Sequence, residues 1–198
     1  MVVLMLTYDE AANVRRLSRL DRVRKAAFAA ACAQRLLPLY GRFAAATHAD
    51  PAIIHEALAR VWDALQGASV DLRAVQAAAE DQVPQEDDDW ILEMGYGQNA
   101  AACCAYAVRT WLTDDAQEAA WAARQVYELA DYAVQQLLPD LDLNSPDAES
   151  QLAGHELVQA ALVGIEQDLR DVESPALDVD ALAERASREG LVWSRGMP

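Results

Sequence analysis

The sequence predicts an all-α protein, a single domain over residues 1–198 built as a bundle of about seven helices. Three observations predict it. Apolar residues recur at three- and four-residue steps almost throughout, which marks one face of a helix, and strict two-residue alternation is nearly absent. Alanine is heavily over-used, and it is the best helix former because it loses no side-chain entropy and buries no polar group. Asp and Pro stand where apolar runs begin and Gly where they end, which is the punctuation of helix termini.

The elements follow in order. Residues 1–9 are expected to form a loose N-terminus. A first helical region covers 10 to 36 and breaks near Leu20-Asp21, where Asp21 caps a new helix through Phe28, Cys32 and Leu36. Pro38 lacks an amide proton, so it is expected to end or kink that helix, and it can open a short one to Thr47. Asp50-Pro51 starts the next, with Ile54, Leu58, Val61, Trp62 and Leu65 on one face and Gly67 closing it. Asp71 caps a helix to Gln82, followed by Pro84.

Gly95 and Gly97 read as a turn before a helix from Asn99 to Leu112. Thr113-Asp114-Asp115 opens a helix to Leu138, its acidic start favoured by the helix dipole. Pro139 to Asn144 is a loop. Ser145-Pro146 opens a helix whose inner face carries Val158, Leu162, Ile165, Leu169 and Val172, and Ser174-Pro175 breaks it. Asp178 caps a final helix that Gly190 closes, leaving 191–198 as an extended tail.

Hydrophobic residues make up 53% and charged residues 24% of the chain, the proportions of an ordinary globular protein. At this length a domain buries roughly 70% of the surface its unfolded chain exposes, enough to fold without disulfide or metal. Cys32, Cys103 and Cys104 are odd in number and two are adjacent, so they read as small buried thiols in a reducing cytoplasm. No stretch reaches the ~18 uninterrupted apolar residues of a membrane span.

The formal net charge is −16. Such a chain is repelled by nucleic-acid phosphates and anionic membranes and attracts basic proteins. The one cationic stretch is Arg15-Arg16, Arg19, Arg22 and Arg24-Lys25. Its expected role is intramolecular, docked on the acidic remainder or solvated on a helix face; contact with an acidic protein or RNA is the alternative.

Few motifs carry chemistry. Gly95-Tyr96-Gly97-Gln98-Asn99-Ala100 matches the dinucleotide pattern G-x-G-x-x-A, but that chemistry needs flanking parallel strands, which the pattern does not supply. His48, His55 and His155 show no metal-ligand spacing, so neither metal nor cofactor is expected. No nucleophile elbow or phosphate loop is present, and no catalytic residue is assigned. Glu86, Asp87, Asp88, Asp89 and Trp90 form the candidate binding segment: clustered carboxylates attract a basic partner, and an adjacent aromatic anchors it.

Several stretches together carry a family resemblance. They are Phe28, Cys32, Arg35, Leu37-Pro38, Tyr40 and Phe43; Val61-Trp62-Asp63-Ala64-Leu65; the Val83-Pro84 turn before an acidic segment; and Gly95 with the Ala102-Cys103 helix. As an ordered set over about residues 15 to 190 they resemble the bacterial YjaG-like family. The resemblance implies an all-helical fold in a bacterial cytoplasm and no established activity. Relatives carry a tyrosine-proline-aspartate arrangement where this chain has Gly97, Gln98 and Ala101.

The expected function is therefore a non-catalytic, acidic protein-binding module, a regulatory or immunity-type partner of a basic protein. Two alternatives stand beside it: a small-molecule binder or enzyme with its site between helices, and a self-associating structural protein that forms a homodimer.

Overall fold

A computed structural model describes residues 5–84 and 90–198. The all-α class is observed, with nine helices among the described residues rather than about seven: α1 Glu10–Leu17, α2 Arg22–Thr47, α3 Ala52–Leu65, α4 Arg73–Glu80, α5 Leu92–Thr113, α6 Ala116–Leu137, α7 Ala148–Gly154, α8 Glu156–Glu173 and α9 Val179–Ser194. The central helix is α2, packed against α3, α5, α6, α8 and α9. Its first half explains the alanine content. Ala26, Ala27, Ala29, Ala30 and Ala31 are fully buried on every side of the helix, where larger side chains would hold the neighbours apart.

Aspartates cap as expected. Asp21 accepts from the Arg24 amide, Asp115 from that of Gln117 and Asp178 from that of Ala181, each at 2.9 Å. Each satisfies one amide that has no partner within its helix.

Several expectations about element boundaries are corrected. Pro38 does not divide α2, which runs unbroken for 26 residues. An interior proline costs about 3 kcal/mol, and burial of Leu36, Leu39, Tyr40 and Phe43 on either side outweighs it. Gly95 and Gly97 do not form a turn; both lie inside α5, which begins at Leu92. A methyl group on Gly95 would collide with the Tyr132 ring, and one on Gly97 with the Phe43 ring. The glycines are therefore seats for aromatic rings, and the dinucleotide pattern sits wholly within a helix.

The helix expected from Ser145 is divided into α7 and α8 by an extended His155 (φ −67, ψ 142), whose Nδ1 accepts from the Leu157 amide at 3.2 Å. Imidazole does here what a serine or aspartate usually does. Finally, Gly190 does not close α9, and residues 191–194 are helical rather than extended. Gly190 is the crossing point with α2, where a methyl group would strike the Arg35 carbonyl oxygen.

The N-terminal stretch is docked from Leu6 onward, where a loose segment was expected. The Leu6 amide donates to Gln159 Oε1 at 3.0 Å and Gln159 Nε2 donates back to the Leu6 carbonyl at 2.9 Å. The Tyr8 ring stacks on Tyr127 with centroids 4.8 Å apart. Among the described residues no helix is long and apolar enough to cross a membrane.

Candidate functional site

A buried network of charged side chains lies where α2, α8 and α9 meet. Helix α2 supplies Arg35, α8 supplies Asp168 and Asp171, and α9 supplies Arg185 and Glu189. Asp168 is fully buried and Arg35 nearly so. Two parallel bonds join them, Nη1 to Oδ2 at 2.7 Å and Nη2 to Oδ1 at 3.1 Å. Arg185 Nη2 bridges Asp168 and Asp171 at 2.7 and 2.6 Å, and both arginines reach Glu189. Gly164 of α8 leaves the room: an added Cβ would stand 3.0 Å from Arg35 Nε. Burial works against the charge on Glu189, but Arg35 and Arg185 outweigh it and hold its carboxyl below the usual range. Interlocked charges of this kind set the relative position of three helices.

Half of the cationic stretch is engaged inside the molecule, through Arg16, Arg24 and Lys25, while Arg15, Arg19 and Arg22 are exposed. Arg16 grips Glu173 through two bonds of 2.8 Å and Glu166 through one of 2.5 Å. Arg24 caps the end of α8 by donating to the Val172 and Ser174 carbonyls. Lys25 Nζ meets Asp114 Oδ1 at 2.7 Å. Most other cations are likewise engaged with carboxylates.

Carboxylates are left over, and they are not spread evenly. From Gln125 to Leu169 the chain contains no lysine or arginine. Within that stretch Asp140, Asp142, Asp147 and Glu149 are exposed around the turn from α6 to α7. Leu137 and Leu143 stand among them 42% and 57% exposed. A cation-free run of this length is visible in the sequence, but spacing alone did not show that two leucines within it remain in water.

Glu86, Asp87, Asp88 and Asp89 lie outside the described residues. Trp90 directly follows them and is 44% exposed, with Ile91 beside it 41% exposed at the head of α5. The three histidines stand apart. His48 ends α2 at φ 61, His55 lies on the exposed side of α3, and His155 caps α8. Among the described residues no group of three or more His, Cys, Asp or Glu is arranged to hold a metal ion. All three cysteines are unpaired and buried. Burial pushes the Cys104 thiol up to about 12 and those of Cys32 and Cys103 well above the ordinary value.

Comparison with known proteins identifies the family. The family model for DUF416, described as a protein of unknown function, matches residues 12–188. It overturns the YjaG-like assignment, which no match supports. The residues behind that assignment are packing signals, such as ring seats, a buried arginine and a helix-interior proline, and these report the fold rather than the family. A crystal structure of a DUF416 family protein from Shewanella baltica OS155 superposes with a TM-score of 0.76 at 18% identity, covering 90% of this chain and 93% of that one. At that identity the likeness concerns the fold. No curated protein matches.

Proposed function

Since the chain belongs to the DUF416 family, whose function is unknown, we propose from its own surface that it is a non-catalytic binding module for a basic protein. The observation that carries the proposal is the exposed carboxylate group Asp140, Asp142, Asp147 and Glu149 around the exposed Leu137 and Leu143. Charge draws a basic partner in and the leucines offer it apolar area to cover. Glu86 to Asp89 with Trp90 and Ile91 repeat the combination in sequence and form the second contact segment of the proposal. The engagement of most cations with carboxylates or backbone of the same chain supports the reading, because the net charge of −16 is then expressed by surface carboxylates. Nucleic acid and anionic membranes are disfavoured partners on the same ground. Unpaired buried thiols suit a reducing compartment, so a cytoplasmic location belongs to the proposal.

The test is a pull-down from host lysate at low and moderate salt, followed by titration of the purified captured protein. A basic partner is expected, bound more slowly as salt rises. Charge reversal at Asp140 and Asp142, or at Asp87 to Asp89, should weaken it about tenfold or more. Affinity unmoved by both sets of reversals would sink the proposal.

A further inference from the structure

Helices α8 and α9 part along one side to leave a groove of about 680 Å³, within the roughly 300–1,000 Å³ of small-molecule sites. One wall is apolar. Val163 and Val192 are 57% and 68% exposed, and Trp193 lies at the base with its Nε1 already given to the Leu157 carbonyl at 3.2 Å. Two valines left in water beside a concave surface gain free energy from any apolar body that covers them.

The other wall is built from guanidinium groups. Arg35, Arg185 and Arg188 line the groove with one lining carboxylate, Glu189, which both Arg35 and Arg185 engage. Asp168 and Asp171 behind the wall also pair with Arg35 and Arg185, so Arg188, with its 3.4 Å contact to Glu184, is the least engaged of the three. Gln167 donates one amide hydrogen to Asp171 at 2.8 Å and keeps a second donor and its acceptor oxygen. Beyond Gln167 and Glu189, the remaining hydrogen-bonding capacity is on the donor side. Arg35 Nε is buried without an acceptor, and Arg188 is largely exposed. A polar group entering this groove meets the exposed donors of Arg188, and acceptors are what it can offer there.

We propose that the groove between α8 and α9 binds an aliphatic carboxylate, its chain covering Val163, Val192 and Trp193 and its head group at Arg188 on the guanidinium wall. The site is independent of the protein-binding surface and makes a prediction opposite to the molecule's overall charge. A chain of net charge −16 attracts cationic amphiphiles in general, so preference for an anionic one has to come from local groups.

The experiment is calorimetric titration of the full chain with decanoate and with decylammonium, both below micelle-forming concentration, at about 0.15 M salt to screen long-range charge. Decanoate should bind saturably at one site, at least tenfold more tightly than decylammonium. Arg188→Gln should weaken decanoate by about tenfold, the loss of one charge-assisted hydrogen bond. Val163→Asp, at an exposed position where the fold tolerates a polar side chain, should remove saturable binding while leaving the helical signal and melting of the parent. The proposal is overturned by absence of saturable decanoate binding, by decylammonium binding as tightly or more tightly, or by decanoate binding unchanged in either variant.

Discussion

Arg35 and Asp168 face each other across 133 residues of sequence, joined by two near-parallel hydrogen bonds of 2.7 and 3.1 Å with both side chains almost wholly out of water. A buried pair of this kind is weak evidence of net stabilisation, because desolvation opposes the attraction. Breaking it is a different matter, since the surviving charge stays buried.

Asp168→Ala should therefore destabilise the protein by about 3–5 kcal/mol, leaving Arg35 without its main partner and Arg185 without one of its own. Asp168→Asn keeps an acceptor and should cost less. Urea denaturation of the two variants checks this, and a loss under about 1 kcal/mol for the alanine variant would show that water or rearrangement rescues the arginines.

Gly190 and Gly41 should respond in opposite directions to the same substitution. Gly190→Ala presses a methyl group into the Arg35 carbonyl where α9 crosses α2, and backbone cannot yield cheaply, so a loss of about 1–3 kcal/mol or more is expected. Gly41 lies inside α2 with no atom within 4 Å of an added Cβ. Gly41→Ala should raise stability by about 0.5–1 kcal/mol through lower unfolded-state entropy. Thermal melting distinguishes the two, and equal effects would contradict the geometry.

The three thiols should be inert to a disulfide reagent at pH 8 until the chain unfolds. Burial keeps them protonated, with Cys104 pushed up to about 12. Buried Tyr40 and Tyr96 are likewise pushed up to about 12. The unfolded chain releases a thiol proton from about pH 8.5 while the native chain retains it. Stability is therefore fully present below that point and falls as pH rises, by about 1.4 kcal/mol per pH unit for each thiol. A flat stability profile from pH 8 to 10 would contradict the burial of these groups.

On the acid side, Arg16 sets the limb. Its hydrogen bonds hold Glu173 below the ordinary carboxylate range, and Glu166, despite the opposing effect of burial, is held low by Arg16 and Arg170. Both contribute stability above the unfolded value near 4.5, lost as pH falls through their depressed native values. Glu118 and Asp131 act in reverse, because burial raises them and protonation favours their folded state. Arg16→Gln should thus be less stable than the parent at pH 6, with the gap closing toward pH 3. A gap independent of pH would show that Arg16 acts through packing alone.

By itself, the sequence determined the helical class, the aspartate caps and most of the buried faces, because three- and four-residue spacing and cap chemistry act within a few residues of the chain. Asp21, Asp115 and Asp178 need only their own first turns to cap. Tertiary structure decided whatever depended on distant partners. Pro38 reads as a break until its flanking residues are seen buried, and Gly95, Gly97 and Gly190 read as turns until Tyr132, Phe43 and the Arg35 backbone occupy the space a side chain would need. The candidate surfaces divide in the same way. The surplus of carboxylates is legible in the sequence, whereas the exposure of Leu143 and the groove between α8 and α9 depend on which helix faces remain uncovered once the helices have packed. Periodicity marks a face as apolar; only packing against other helices determines whether anything covers it.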